Sequence, residues 1–189
     1  MGLLGGLFGG KSAKAPRKGR FLTAVNTLEA LKAKTDLRPT GKAGVVFNPS
    51  GDDFFKKLPQ ELANTIAANP AARGVRLDLM DDAYSSRWVV LEDKDMPRLA
   101  ASVLLVDGVF SAKELRRHLL AAVIQVEFER RKAYWIYSYK RERFHPFVPT
   151  GEKTRDGKAE MRMGELMSKE KVALEGTLEL WYALWGIPF

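Results

Sequence analysis

The sequence predicts an α+β fold: a mostly antiparallel sheet of about five strands with packed helices, preceded by a flexible apolar and basic N-terminal arm. Three observations lead to it. Runs with apolar residues three and four apart are interleaved with runs that alternate at every second residue. Two alternating runs are joined by a short turn and read as a hairpin. The first twenty residues differ in composition from everything that follows. The expected organisation is an arm over 1–19 and a single domain over 20–189, long enough to bury a core without covalent staples. The chain has no cysteine, which removes disulfides, thiolate metal sites and Cys nucleophiles together and is compatible with a reducing cytoplasm.

The arm opens with "MGLLGGLFGG". Its glycines cost a helix about 1 kcal/mol each relative to Ala, so no stable helix is expected there in water. The basic residues follow the apolar run instead of preceding it, which argues against a secretory signal. Ten residues are too few to span a bilayer, which takes about 20 apolar positions. Gly6 stands where a myristoylation start wants Ser or Thr. Gly5, Gly10, Lys11 and Ser12 satisfy the spacing of a phosphate-binding loop, but no strand leads into it and Pro16 soon follows, so the match is attributed to chance. Of the net charge of +8, five units come from Lys11, Lys14, Arg17, Lys18 and Arg20, with no acid among the first twenty residues. Leu3, Leu4, Leu7 and Phe8 with those five cations form a candidate anionic-membrane contact, an apolar term plus a cationic one. The alternative is a tail without a role.

"FLTAVNTLEALKAKTD" places Phe21, Val25, Leu28 and Leu31 on one helical face. "KAGVVFNPSG" reads as a short strand closed by a turn. "PQELANTIAANP" reads as a helix with Pro59 in its first turn and Pro70 beyond its end. "VRLDLMDD" and "RWVVLED", joined by "AYSS", form the hairpin. A helix is predicted from about Met96 to Val106. Ser111 with Glu114 has the form of a capping box, predicting a short helical entry into a strand from about Leu119 to Glu129. "ERRK" then turns into "AYWIYSYK", whose two faces are both apolar, as in a central strand covered on each side. Trp135, Tyr137 and Tyr139 point one way, and Tyr134, Ile136 and Ser138 the other. Lys140, Arg141 and Arg143 leave the strand at one end, about 25 Å from Arg130, Arg131 and Lys132 at the other. Phe144, Pro146 and Phe147 are expected to fold back over a sheet edge, because Pro cannot continue a ladder. The stretch up to Lys158 reads as a charged, mobile loop. Leu174, Leu178, Trp181 and Trp185 share a helical stripe that ends at Gly186 and Pro188, predicting a lid helix over the sheet.

Tyr139-Lys140-Arg141, then Phe144, Pro146-Phe147, and at the far end Trp181, Trp185, Gly186 and Pro188, are landmarks of a known family, together with the "MG" arm and the approach Leu37, Pro39, Gly41. On these residues the chain resembles the phage-shock-protein-A-associated protein B family along nearly its whole length. It departs in its Gly-rich arm and in "SAKELRRH". The resemblance implies a place in an envelope-stress system built around a membrane-binding coiled-coil protein, with no catalytic residues to carry over. Tyr139, Lys140, Arg141, Arg143, Phe144 and Phe147 are the candidate partner-binding residues. His118 and His145 have no second ligand at metal-binding spacing, and neither cofactor nor metal is expected. The expected function is that of a non-enzymatic accessory or adaptor protein, cytoplasmic or peripheral at the inner face of the membrane. The alternative is nucleic-acid binding through the arm and the Arg-rich hairpin; an enzyme ranks third.

Overall fold

The computed structural model describes residues 17–51 and 53–189. Its centre is an antiparallel sheet of six strands in the order β2-β3-β1-β4-β5-β6, formed by β1 (Arg38–Phe47), β2 (Arg76–Asp81), β3 (Arg87–Glu92), β4 (Leu119–Phe128), β5 (Arg131–Ser138) and β6 (Arg143–Phe147). A two-stranded hairpin of β7 (Pro149–Gly151) and β8 (Thr154–Arg155) stands apart from it. The helices are α1 (Arg17–Lys32), α2 (Asp53–Ala68), α3 (Met96–Ala112) and α4 (Gly157–Lys169).

Consecutive strands pair wherever a short turn joins them, as β2 with β3 and β4 with β5. β1 enters between β3 and β4, so its Val45 and Val46 lie in the middle of the sheet. One face packs on α1, α2 and α3. Phe47 stacks on Phe55 of α2 at 5.8 Å and meets Phe110 of α3 at 5.1 Å, while Phe21 of α1 lies 5.9 Å from both Tyr137 and Phe144. α4 adds Ala159, Met163 and Met167 to the same core. The other face, with Trp88, Val123, Tyr134, Ile136 and Phe147, is covered by Ala183, Leu184, Trp185, Ile187 and Phe189. The two apolar faces read from "YWIY" are therefore both buried, Trp135 and Tyr137 under helices and Tyr134 and Ile136 under the 181–189 segment.

Several expectations need correction. Residues 181–189 form no helix but an irregular strap preceded by a 3₁₀ turn over Leu178–Leu180. The helical stripe misleads because each aromatic residue finds its own seat. Trp181 lies against Gly164, where a Cβ would come within 2.6 Å of its ring, Trp185 meets Phe147 at 5.1 Å, and Phe189 fills the space over Gly44, where a Cβ would come within 2.6 Å. Phe144, Pro146 and Phe147 do not cover an edge; they are the edge strand, paired with Tyr137, Trp135 and Tyr134. Pro is tolerated there because its missing N–H points outward. The neighbouring outward donors are used: Phe144 N–H bonds the Ala173 carbonyl at 2.8 Å and Val148 N–H the Glu160 carboxylate at 2.9 Å.

The stretch read as a mobile loop before Lys158 is the β7–β8 hairpin, followed by α4, whose first turn is capped by the Asp156 side chain accepting from Ala159 N–H. α2 begins at Asp53, which puts Pro59 at its seventh position and not in its first turn. α3 runs on to Ala112, so Ser111 sits in a last turn and Glu114, at φ 58°, ends the helix. The capping-box spacing there marks no helix start. The helical entry to β4 is a 3₁₀ turn over Arg116–His118.

Candidate functional site

The register of the β4–β5 hairpin assembles the most distinctive surface. Ala121 faces Ser138, so the residues just before β4 and just after β5 come together at one end of the sheet. The 3₁₀ turn brings Arg116 and Arg117, and the β5–β6 turn brings Lys140 and Arg141. With Leu120 and Tyr182 they line a groove of about 690 Å³. No acid lines it. Arg117 and Lys140 form no ion pair among the described residues, and neither does Arg143 beside the turn.

Arg116 is held from behind. Its Nε donates to Asp107 Oδ1 of α3 at 2.6 Å, and its guanidinium lies 5.4 Å over the Tyr139 ring. Tyr139 is buried, and that burial, with Asp107 nearby, pushes its phenol well above the ordinary range, so it stays neutral. Arg141 stacks 5.8 Å from the exposed Tyr182 ring and reaches Glu175 at 4.0 Å. Arg20 of α1 crosses to the same turn, its guanidinium 2.8 Å from the Glu142 carboxylate.

Of the six candidate partner-binding residues, Lys140, Arg141 and Arg143 surface at this end. Tyr139, Phe144 and Phe147 are buried and serve the core beneath it. Among the arm candidates, Leu3, Leu4, Leu7, Phe8, Lys11 and Lys14 lie outside the described residues, as does the phosphate-loop spacing at Gly5–Ser12. Arg17 and Lys18 fall in the first turn of α1, and Arg20 is tied to Glu142. Arg116, Arg117 and Tyr182 were not singled out in the sequence. A signal for the first two was present: closing the hairpin on "ERRK" and counting back sets "RRH" opposite "YKR".

The other end of the sheet differs electrostatically. Arg131 donates to Asp156 at 2.9 Å and pairs with Glu129 at 3.3 Å, and Arg162 holds Glu129 at 2.7 Å. Those bonds from arginine keep the Glu129 carboxyl below its usual range. Arg130 shares a small pocket with Asp36 and Glu127. Cations there alternate with acids.

A second cleft, about 780 Å³, opens at the start of α4 beside Arg155, Glu160 and Trp181. Glu160 is buried, accepts from Arg155 Nε at 2.8 Å and also receives Val148 N–H. Arg155 lies 5.5 Å over the Phe147 ring and donates to the Trp181 carbonyl at 2.6 Å. Acid and base here saturate each other and lock β6, α4 and the strap together. His118 bonds the Asn48 carbonyl on the helix-covered side, and His145 bonds the Tyr182 carbonyl under the strap. Among the described residues no three His, Asp or Glu side chains are grouped to hold a metal ion.

Fold and groove define an α+β protein with a six-stranded antiparallel sheet and, at one end of its strands, a cationic groove with no acid among its described lining residues. The family model of PspAB, PspA associated protein B, matches residues 1–189, the whole chain. The chain belongs to that family. Searches of curated proteins and of solved structures find no match. No helix among the described residues is long and apolar enough to cross a membrane.

Proposed function

We propose that this chain is a non-enzymatic accessory protein of the phage-shock response that works by contact, engaging a PspA-type coiled-coil partner through the cationic end of its sheet, at or near the inner face of the membrane. Membership in a family of PspA-associated proteins supports the system and the partner. The observation that carries the mode of action is the contrast between the two ends of the sheet. Glu129 and Asp156 pair with the hairpin cations at short range, whereas in the groove Arg117 and Lys140 have no carboxylate partner among the described residues and Arg141 meets Glu175 only at 4.0 Å. Exposed like charges left uncompensated are a recognition feature more than a stabilising one, since they steer and orient an acidic partner. Nucleic acid ranks second, because Arg131 of the hairpin is already engaged by two carboxylates.

The test is a pull-down with purified, lipid-free PspA-type protein. Changing Lys140, Arg141 and Arg143 together to Ser should leave the fold intact, since Lys140 is exposed, Arg141 and Arg143 are half-buried, and surface charges contribute about 1 kcal/mol or less each, and should abolish retention of the partner. A folded triple variant that retains the partner as well as wild type overturns the assignment of this end as the contact.

A further inference from the structure

The strap covers the second face of the sheet only in part. Its Tyr182 carbonyl accepts from His145, and beyond that point Ser138, the last residue of β5 on that face, opens into the groove beside Leu120, which lies at the irregularity where β4 begins. Leu120 is 39% exposed and Tyr182 56%, both beside the four groove cations. Apolar and aromatic side chains thus stand among positive charges at a strand end, of which Arg117 and Lys140 have no carboxylate partner among the described residues. A purely electrostatic contact has no use for Leu120; a bilayer interface uses both, with cations at the phosphates and an amphipathic ring at headgroup depth.

The protein partner proposed above and a lipid surface can both meet these charges, and the start of α1 argues that lipid is met here as well. The Arg20–Glu142 pair at 2.8 Å fixes the start of α1 against the turn that carries Lys140 and Arg141. The start of α1 therefore lies at the same end of the molecule as the groove, and the sequence that precedes it holds Leu3, Leu4, Leu7, Phe8, Lys11 and Lys14. Their composition, apolar residues followed by cations without an acid, suits a lipid surface better than an acidic peptide.

We propose that the groove is a headgroup site for anionic phospholipid, so that the folded part of the chain docks end-on against the bilayer beside the arm. This rests on the membrane-stress reading above and adds to it a ligand class and a set of residues. Arg117 and Lys140 meet lipid phosphates, Arg141 is aimed by its stacking on Tyr182, and Leu120 and Tyr182 enter the interface.

The experiment uses the full-length chain with vesicles of phosphatidylcholine alone or mixed with phosphatidylglycerol. Wild type should sediment with the mixed vesicles and not with phosphatidylcholine alone. The double variant R117S/K140S should bind the mixed vesicles roughly thirtyfold more weakly, the loss of two surface cations at about 1 kcal/mol each. Arg116 is left in place because it holds Asp107. A matched variant at the other end, R130S/K132S, should bind as wild type does, and thermal melts establish that both variants fold. Undiminished vesicle binding by R117S/K140S, or equal losses in both double variants, overturns the proposal. Undiminished vesicle binding with loss of lipid-free partner leaves the protein-contact reading standing and assigns the groove to an acidic helix. Loss of vesicle binding with the partner retained supports the lipid site and moves the protein contact elsewhere.

Discussion

Acidification should weaken this fold through His145 in a predictable window. The ring is 4% exposed beneath the strap, and its pKa is lowered from 6.5 to about 4, chiefly by burial, with the Arg155 charge acting in the same direction. The Tyr182 carbonyl can only accept, so Nε2 carries the proton in the neutral ring. In the unfolded chain the histidine titrates near its ordinary value. Between the two pKa values the unfolded state therefore holds a proton that the folded state does not, and stability falls as pH falls. The contribution is complete above about pH 6.5. From about pH 7.5 to about pH 4.5 the loss attributable to this one group is about 2–3 kcal/mol. Carboxylates also titrate at the lower limit, so the measurement is a difference. Urea unfolding of wild type and His145→Gln, whose amide keeps a donor for the Tyr182 carbonyl, is followed across the window. The stability gap between them should change by about 2–3 kcal/mol in favour of the variant at the acid end. A gap that stays constant with pH would refute a buried, neutral His145.

Two further outcomes follow from the strap and its lock. Arg155→Ala leaves the buried Glu160 carboxylate without its cation and should cost about 3–5 kcal/mol in urea unfolding, while Arg155→Lys should recover only part of that because an ammonium cannot reproduce the forked contact. Gly44→Ala puts a methyl group where the Phe189 ring lies and should cost about 1–3 kcal/mol, with increased exposure of Trp88 to a fluorescence quencher as the strap is displaced from its 5.9 Å ring contact.

The elements legible in the sequence were those whose determinants are local. Alternation in "YWIY" and "RWVV" and the turn residues of "AYSS" define a strand or hairpin within a few positions, and the structure places them accordingly. What escaped had distant causes. Pro146 resembles a chain breaker until β5 supplies an inner edge for it to lie against. Trp181 and Trp185 have helical spacing, but the pockets that receive them are made by Gly164 and Phe147, remote in sequence. Arg155 looked like one charge among many in a loop, and only the burial of Glu160 gives it a structural task. The groove was half legible: Lys140 and Arg141 stood out by clustering, whereas Tyr182 reaches it only because the strap returns across the sheet.

The two margins of the sheet are unequal, and this bears on how copies of the chain can assemble. Along β6 the outward hydrogen-bonding positions go to Ala173 and Glu175 of the segment before the strap, to Glu160, and to a proline with nothing to donate. β2, at the opposite margin, pairs with β3 alone among the described strands. Open-ended growth by strand addition needs a donor margin and an acceptor margin on every subunit. With β2 the one open margin of the six-stranded sheet among the described residues, pairing between copies through that sheet closes on itself about a twofold axis and stops at two subunits. Through the described margins of its six-stranded sheet, this chain can terminate a β-assembly but has no second margin from which to propagate one.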